Sequence, residues 1–290
     1  SFTDGGIFVN YAKSLQAYSP IRNRLENVQS KGAVQLNDSI ILSGGLNGIC
    51  KINTITEELV PFSTNKIRVT TLASIDKKDI IYFGSTNGLY KYSLKKADLT
   101  PRKIQNSILN NRIISLCTTK DSLLWVAIAG HGIVIMKQDK IIGHLTSKHN
   151  LVSNNCVTFS EGKKGQVWVG SNDGLSIINY EYTDTFSCRK IKNIYVQDGL
   201  NSNIINQMAY DGDTMYVATN SGVCKISTNL SVPEFDIPIR PTRIQINQQD
   251  TALLSHYILK SGQRNIQIQF AGIELTGHFK HAQYSLDKGH

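Results

Sequence analysis

The stretch QVWVGSNDGLSIINY, Gln166–Tyr180, predicts two short β-strands around a tight turn. Apolar residues alternate before the turn at Val167 and Val169 and continue after it from Leu175 to Ile178. Between them lies Asn172-Asp173-Gly174. Asp-Gly between two apolar runs is a strong hairpin signal, because a type I′ turn requires positive φ at both central residues. The stretch therefore predicts a β-hairpin closed by a type I′ turn.

The same hairpin recurs along the chain at spacings of 40 to 48 residues, which is the length of one β-propeller blade. The hairpin glycines are Gly48, Gly88, Gly132, Gly174 and Gly222, and Gly5-Gly6 begins a partial copy. Large side chains hold equivalent positions before the turns, at Leu42, Tyr82, Trp125, Trp168 and Tyr216. Trp125 is displaced by one residue, which predicts a bulge in its strand.

A repeated asparagine lies upstream of each turn. It stands 19 to 23 residues before the hairpin glycine and precedes an apolar strand. The five copies are Asn27, Asn65, Asn111, Asn155 and Asn203. Asparagine side chains hydrogen-bond local backbone in turns, so the favoured interpretation is structural, at the point where the chain enters each blade. A ligand-binding role for the whole series is the alternative.

These repeats predict an all-β fold. Residues 1–230 are assigned to a β-propeller of four-stranded blades, with five full blades and a partial one. The N-terminal copy supplies only the last two strands of a blade. We therefore expect either an incomplete ring or part of a larger propeller.

The repeat pattern ends near Ser231, and a second β domain is predicted beyond it. Three prolines predict a linker over residues 231–241, because proline is not accommodated in central strands; they are Pro233, Pro238 and Pro241. Residues 242–290 are assigned to the first strands of a β-sandwich. The predicted strands are Arg243–Asn247, Asn265–Ala271 and His281–Leu286.

The composition excludes several classes of protein. No apolar run is long enough to cross a membrane as a helix. The net charge of +9 favours acidic partners, but the basic residues are scattered without a stripe or interleaved aromatic residues, so no nucleic-acid partner is predicted. The five cysteines form no C-x-x-C pair and lie mostly in apolar strand patterns, so they are interpreted as packing residues.

No catalytic, metal or cofactor motif is found. His131 is interpreted as the residue that replaces asparagine in its hairpin turn, and His144 and His149 as histidines of one loop. Glycoside hydrolysis needs two carboxyl groups that converge in one cleft. The acidic residues here fall in loops or outer strands and are interpreted as turn formers. The sequence therefore predicts a chain with no catalytic residues, no metal and no cofactor.

Two stretches have a specific resemblance. SNNCVTFSEGKKGQVWVGSNDGLSIIN (153–179) and GLNSNIINQMAYDGDTMYVATNSGVCKIS (199–227) resemble the two-component regulator propeller repeat. The segment from Pro241 to Gly289 resembles the first part of the Y-Y-Y domain that follows such propellers. Together these similarities cover nearly the whole chain.

The resemblance implies a sensor. Members of this family have an extracytoplasmic propeller region, a Y-Y-Y domain, a membrane span and a cytoplasmic histidine kinase, and are common in Bacteroidetes. It implies a periplasmic, non-enzymatic region that senses an oligosaccharide or other small ligand, belongs to a dimeric parent and reaches the membrane only through parts absent here. The alternatives are a propeller lyase or glycosidase acting on acidic polysaccharide, or a protein-interaction scaffold.

The candidate binding residues are those that differ between copies. Lys66 and Arg112 follow the repeated asparagine in adjacent blades, and Arg68 and Arg24 lie nearby in sequence. Variable residues on a constant scaffold are where specificity is usually encoded. The four basic residues predict a patch that binds a carboxylate or sulfate group, with unrelated solvent-exposed charges as the alternative.

Overall fold

The structure is a computed structural model, and it describes residues 8–11, 14–17, 30–56, 58–62, 67–75, 79–94, 100–229, 240–254, 256–263 and 265–271. The chain divides into two compact units, Ser1–Asn229 and Leu230–His290. None of the helices among the described residues has the length and hydropathy needed to span a membrane.

The first unit is built of consecutive antiparallel sheets. An N-terminal hairpin pairs β1 (Phe8–Tyr11) with β2 (Ser14–Ala17). The first blade contains β3 (Ser30–Gln35), β4 (Ile40–Gly45), β5 (Gly48–Asn53) and β6 (Glu58–Pro61). The second contains β7 (Val69–Ile75), β8 (Ile80–Ser85), β9 (Gly88–Ser93) and β10 (Arg102–Lys103).

The third blade contains β11 (Ile113–Thr118), β12 (Leu124–Ile128), β13 (Gly132–Lys137) and β14 (Lys140–Leu145). The fourth contains β15 (Cys156–Glu161), β16 (Gln166–Ser171), β17 (Leu175–Tyr182) and β18 (Phe186–Ile194). The fifth contains β19 (Ile205–Asp211), β20 (Thr214–Thr219) and β21 (Gly222–Ser227). Short 3₁₀ turns at Ile108–Asn110, Ser147–His149 and Val196–Asp198 lie between blades.

The predicted propeller of four-stranded blades is confirmed, with one difference in the strand count. Four blades have four strands each, whereas the fifth has three strands within the part of the chain that the structure describes. The first strands of successive blades contact one another in the order β3, β7, β11, β15, β19. These first strands therefore form the inner layer from which the blades radiate.

The core lies between the blades. Each interface has a core of apolar side chains from two neighbouring sheets, because a four-stranded sheet cannot bury both of its faces alone. Trp125 belongs to the cluster between the third and fourth blades, and Trp168 to the cluster between the fourth and fifth. Both are fully buried, and every residue of the second strands β12 and β16 is buried as well.

The fifth blade departs from this pattern. Tyr216 aligns with the buried tryptophans but is 38% exposed, and Val223 is 64% exposed although its counterparts in the other blades are buried. Among the described residues of the first unit, no sixth blade follows to cover this face. The sequence repeat therefore identifies the equivalent residues correctly, whereas the burial of their side chains depends on a neighbouring blade.

The predicted type I′ turn is wrong for the hairpin at 172–174. Asn172 and Asp173 are not among the residues with positive φ, and the positive φ of 141° falls on Gly174, which follows the turn. Two consecutive positive φ angles occur instead at Gln138 and Asp139, in the turn between β13 and β14. Two apolar strands separated by a glycine turn thus identify a hairpin without settling its turn type.

The predicted bulge at Trp125 is also wrong, although Trp125 and Trp168 are equivalent. Trp125 pairs with Ile135 and Trp168 with Ile177, each three residues after the hairpin glycine. The extra residue lies in the turn, where three residues separate Ile128 from its partner Gly132. Bulges occur instead near the start of every inner strand, β3, β7, β11, β15 and β19. They increase the local twist of the sheet.

The second unit contains β22 (Arg240–Ile246), β23 (Gln249–Thr251) and β24 (Ile266–Ala271), with β22 in the middle. Two of the three predicted strands are present, and β23 is an additional one. Pro241, which was assigned to the linker, pairs with Phe270 of β24. Because β23 pairs only with Ile244–Ile246, Pro241 needs no second backbone hydrogen-bond partner and is tolerated there.

Several predictions concern residues outside the described part of the chain. They are Gly5-Gly6, Arg24, Asn27, Asn65, Lys66, the linker residues 231–239 and the strand His281–Leu286.

Candidate functional site

The candidate site lies on one end of the blades, which we call the loop face. It is formed by the hairpin turns before β5, β9, β13, β17 and β21 and by the segments that enter β7, β11, β15 and β19. Backbone hydrogen bonds hold these parts together. The Gly132 amide donates to the Asn154 carbonyl at 3.0 Å, and the Ala129 amide donates to the Arg112 carbonyl at 3.0 Å. Hydrogen bonds between the hairpin turns and the entry segments therefore fix the backbone of the loop face.

The repeated asparagines shape the entry segments. The Asn203 side chain accepts a hydrogen bond from the Val196 amide at 2.8 Å and so holds the 3₁₀ turn that starts there. The Asn154 side chain does the same for the Ser147 amide at 2.8 Å. Asn111 donates from Nδ2 to the Ile108 carbonyl at 3.0 Å. Each of these side chains thus forms a hydrogen bond that stabilises the local backbone.

One assignment in the asparagine series is wrong. Cys156 and Ile205 each begin an inner strand at its bulge, so the counterpart of Asn203 is Asn154, two residues before Cys156. Asn155 instead lies directly before the strand and accepts a hydrogen bond from the Gly130 amide of the preceding blade at 2.9 Å. With two adjacent asparagines, spacing alone does not identify which one holds the turn.

The same registers place two of the predicted basic residues at equivalent positions of adjacent blades. Arg68 and Arg112 each lie directly before the buried first residue of an inner strand, and both are exposed. The position is taken by Asn155 in the fourth blade and by Ile204 in the fifth. Sequence spacing equated Lys66 with Arg112, but the register makes Arg68 the counterpart of Arg112. Lys66 and Arg24 lie outside the described residues.

A side-chain contact joins the two blades at this point. The Thr70 hydroxyl donates to the Ile113 carbonyl at 2.7 Å, and these residues lie within two positions of Arg68 and Arg112 respectively. Neighbouring inner strands therefore each have an exposed arginine at the same position on the loop face. The sequence signal for this pair was the arginine directly before each apolar strand.

The three loop histidines serve local structure. His144 Nε2 lies 2.8 Å from the His131 carbonyl, and His131 Nδ1 lies 2.7 Å from the Ala129 carbonyl. His149 Nδ1 accepts from the Thr146 amide at 3.2 Å. In the described part of the chain, no group of three or more histidine, cysteine, aspartate or glutamate side chains is arranged to bind a metal ion.

The cysteines are free thiols, and all except Cys50 belong to or pack against the apolar clusters between the blades. Burial raises the pKa of Cys117 to about 12 and that of Cys156 to about 12. Since the thiolate is the nucleophilic form, neither is activated for covalent chemistry.

Comparison with known proteins shows the fold. No protein-family model matches the chain, and no curated protein does. Among solved structures, the chain is similar to the extracellular domain of a protein described as a hybrid two-component system of B. thetaiotaomicron, with 15% identity over 92% of this chain and 41% of that one and a TM-score of 0.53. The predicted resemblance to propeller sensor regions is thus confirmed at the level of the fold.

A second similar structure is a catalytically inactive virginiamycin B lyase from Staphylococcus aureus, with 13% identity over 77% of this chain and 74% of that one and a TM-score of 0.57. The chain spans about two fifths of the length of the extracellular domain that it matches. Because both identities are low, the likeness establishes the β-propeller architecture and leaves the function to be argued from the site.

Proposed function

We propose that this chain is the ligand-sensing region of a two-component sensor protein and lies in the periplasm. The ligand is an oligosaccharide or a comparable small molecule that carries an acidic group. The observation that carries the proposal is the pair of exposed arginines, Arg68 and Arg112, at equivalent positions of adjacent blades on the loop face.

Arginine suits this role because its planar guanidinium group forms two parallel hydrogen bonds with a carboxylate or sulfate group. Asn155 and Ile204 continue the same row with an amide and an apolar side chain. A row of charged, polar and apolar side chains fits an extended ligand with different groups along its length.

The similarity to an extracellular domain of a two-component protein gives further support to the proposed sensor role. It extends over 92% of this chain. In such a system the ligand acts by binding one arrangement of the receptor more tightly than another, and the resulting population shift passes through the second unit to a dimeric parent. The loop face contributes the differential binding, and the parts of the parent beyond this chain contribute the output.

We expect Arg112→Ala to weaken binding of an acidic oligosaccharide by about tenfold or more, since a hydrogen bond to a charged group contributes roughly 1.5–3 kcal/mol. Oligogalacturonate and a sulfated oligosaccharide serve as probes, and isothermal titration calorimetry measures the affinity. Arg102→Ala is the matched control, because Arg102 is an exposed arginine on the outer strand β10. The variant itself should keep its melting temperature, since Arg112 is exposed.

Equal affinities of wild type and Arg112→Ala for every acidic probe would remove the arginine pair as the binding site. Cleavage of a probe would instead support the alternative of a propeller lyase or glycosidase.

A further inference from the structure

A cleft opens between the second and third blades, at the end of the strands opposite the loop face. Its volume is about 390 Å³, within the range of roughly 300–1,000 Å³ that is typical of small-molecule sites. The lining residues are Ile75, Ile80, Tyr82 and Lys91 of the second blade and Ser122, Lys137, Gln138 and Asp139 of the third. None of them is among the binding residues that the sequence predicts.

The polar wall of the cleft is centred on Asp139. Its carboxylate extends from the turn between β13 and β14 to the neighbouring blade, where Oδ1 accepts a hydrogen bond from the Tyr82 hydroxyl at 2.7 Å. Oδ2 is paired with the Lys91 ammonium group. The side chains of Lys91 and Asp139 are only 26% and 34% exposed. A half-buried ion pair and a buried phenol hydroxyl therefore meet at one point of the cleft.

The corresponding space between the third and fourth blades is filled. There Trp125 and Ile135 occupy the positions of Tyr82 and Lys91. The rings of Tyr180 and Phe186 lie 5.1 and 5.8 Å from Trp125. Hydrophobic packing thus closes this interface in one copy of the repeat. The fold does not require an open polar cleft in the other copy.

The backbone of the third blade aims polar groups at the cleft. Gln138 and Asp139 have φ angles of 47° and 65°, and Ser122 has 59°. The angles of Gln138 and Asp139 are those of a tight hairpin turn, and this turn brings both residues to the wall of the cleft. Lys137 points its charge elsewhere, because its Nζ donates to the Asp121 carbonyl at 2.5 Å and lies 5.3 Å from the Tyr182 ring centroid. The charges directed at the cleft, Lys91 and Asp139, therefore balance.

We propose that this cleft binds a small, neutral polyhydroxylated molecule of monosaccharide size. The Lys91 ammonium group has three donors and the Asp139 carboxylate about four acceptor sites, so both retain capacity beyond their mutual bond. Neighbouring hydroxyl groups of one ligand match this pair, since one hydroxyl accepts from Lys91 while the next donates to Asp139. Ile75 and Ile80 provide an apolar wall for the C–H face of a sugar ring.

The site is separate from the arginine pair and does not depend on the sensor role. The charges of Lys91 and Asp139 already neutralise each other. The cleft therefore offers no net charge to compensate a charged ligand, and a neutral ligand is favoured. Binding at this cleft and binding at the loop face use different side chains, so the two can be measured independently on the same protein.

The test titrates the full chain with glucose, galactose, mannose, xylose and glycerol, each added singly and followed by ligand-observed NMR and calorimetry. At least one of the sugars should bind the wild-type chain, and Asp139→Asn should weaken that binding about tenfold or more, through loss of hydrogen bonds to a charged group. Asparagine tolerates positive φ, so this substitution keeps the turn. Lys91→Met is the second variant and should have the same effect.

Asp184→Asn is the matched control, because Asp184 occupies the turn between β17 and β18 of the next blade and is exposed. It should bind as the wild type does. The proposal is overturned if none of the four sugars binds, or if Asp139→Asn and Lys91→Met bind as tightly as the control. Circular dichroism of each variant confirms that it is folded before titration.

Discussion

Replacing Trp168 with alanine is expected to lower the free energy of unfolding by about 3–5 kcal/mol, the range typical of large buried aromatic residues. Trp168 is fully buried between the fourth and fifth blades. Its loss removes a large apolar side chain and leaves a cavity in the interface, because the surrounding structure relaxes only partially. Urea denaturation followed by circular dichroism measures the effect.

The two tryptophans should differ when they are replaced by phenylalanine. Trp168 donates from Nε1 to Gln166 Oε1 at 2.7 Å, and Gln166 is itself buried. Trp168→Phe leaves that oxygen without its donor, which costs about 1–3 kcal/mol in addition to the lost volume. Trp125 Nε1 is buried and has no hydrogen-bond partner. Trp125→Phe therefore removes an unsatisfied donor, and we expect it to be the milder of the two substitutions.

Trp125 and Trp168 occupy the same position of adjacent blades, so each is the other's control. Equal losses for the two phenylalanine variants would show that the Trp168–Gln166 hydrogen bond contributes little to stability. A larger loss for Trp125→Phe would contradict the reasoning outright.

Gly132→Ala is expected to destabilise the chain more than Gly130→Ala, although both glycines lie in one turn with nearly equal φ angles of 76° and 72°. A non-glycine residue in this left-handed region costs roughly 1–2 kcal/mol, and both variants incur that cost. A Cβ atom at Gly132 would lie 2.3 Å from the Leu145 carbonyl oxygen, whereas one at Gly130 meets nothing within 4 Å. Displacing that backbone adds about 1–3 kcal/mol for Gly132→Ala only.

The paired measurement separates conformational strain from lack of space. Chemical denaturation of both variants under identical conditions gives the difference directly. If Gly130→Ala is as destabilising as Gly132→Ala, the close approach to Leu145 is not what requires glycine at the repeated position.

For the arginine pair, sequence spacing predicted the candidate residues but not which of them are equivalent. Arg68 and Arg112 were both among the candidate residues, but spacing paired Arg112 with Lys66 instead. The loops that enter the blades differ in length, so counting residues from one landmark accumulates errors of one or two positions. Strand register removes those errors because each inner strand is fixed by its hydrogen bonds and its bulge.

The sequence by itself determined the architecture, because each blade of a propeller corresponds to one copy of a sequence repeat. Glycine turns such as that at Gly174, apolar strands of alternating pattern and a large residue at the position of Trp168 recur at blade length, and that period alone identifies radially repeated sheets. Local rules also made the asparagine series visible, since Asn111 and Asn203 bond backbone only a few residues away.

Only the tertiary structure decided what lies between the blades. Asp139 and Tyr82 are 57 residues apart in the chain, and their hydrogen bond exists because the turn of one blade packs against the second strand of another. Whether such a space is filled by Phe186 or left as a polar cleft depends on side chains from two repeats at once. Alignment of the repeats shows which positions are equivalent in different blades. It does not show which side chains of two neighbouring blades contact each other, and these contacts form the cleft.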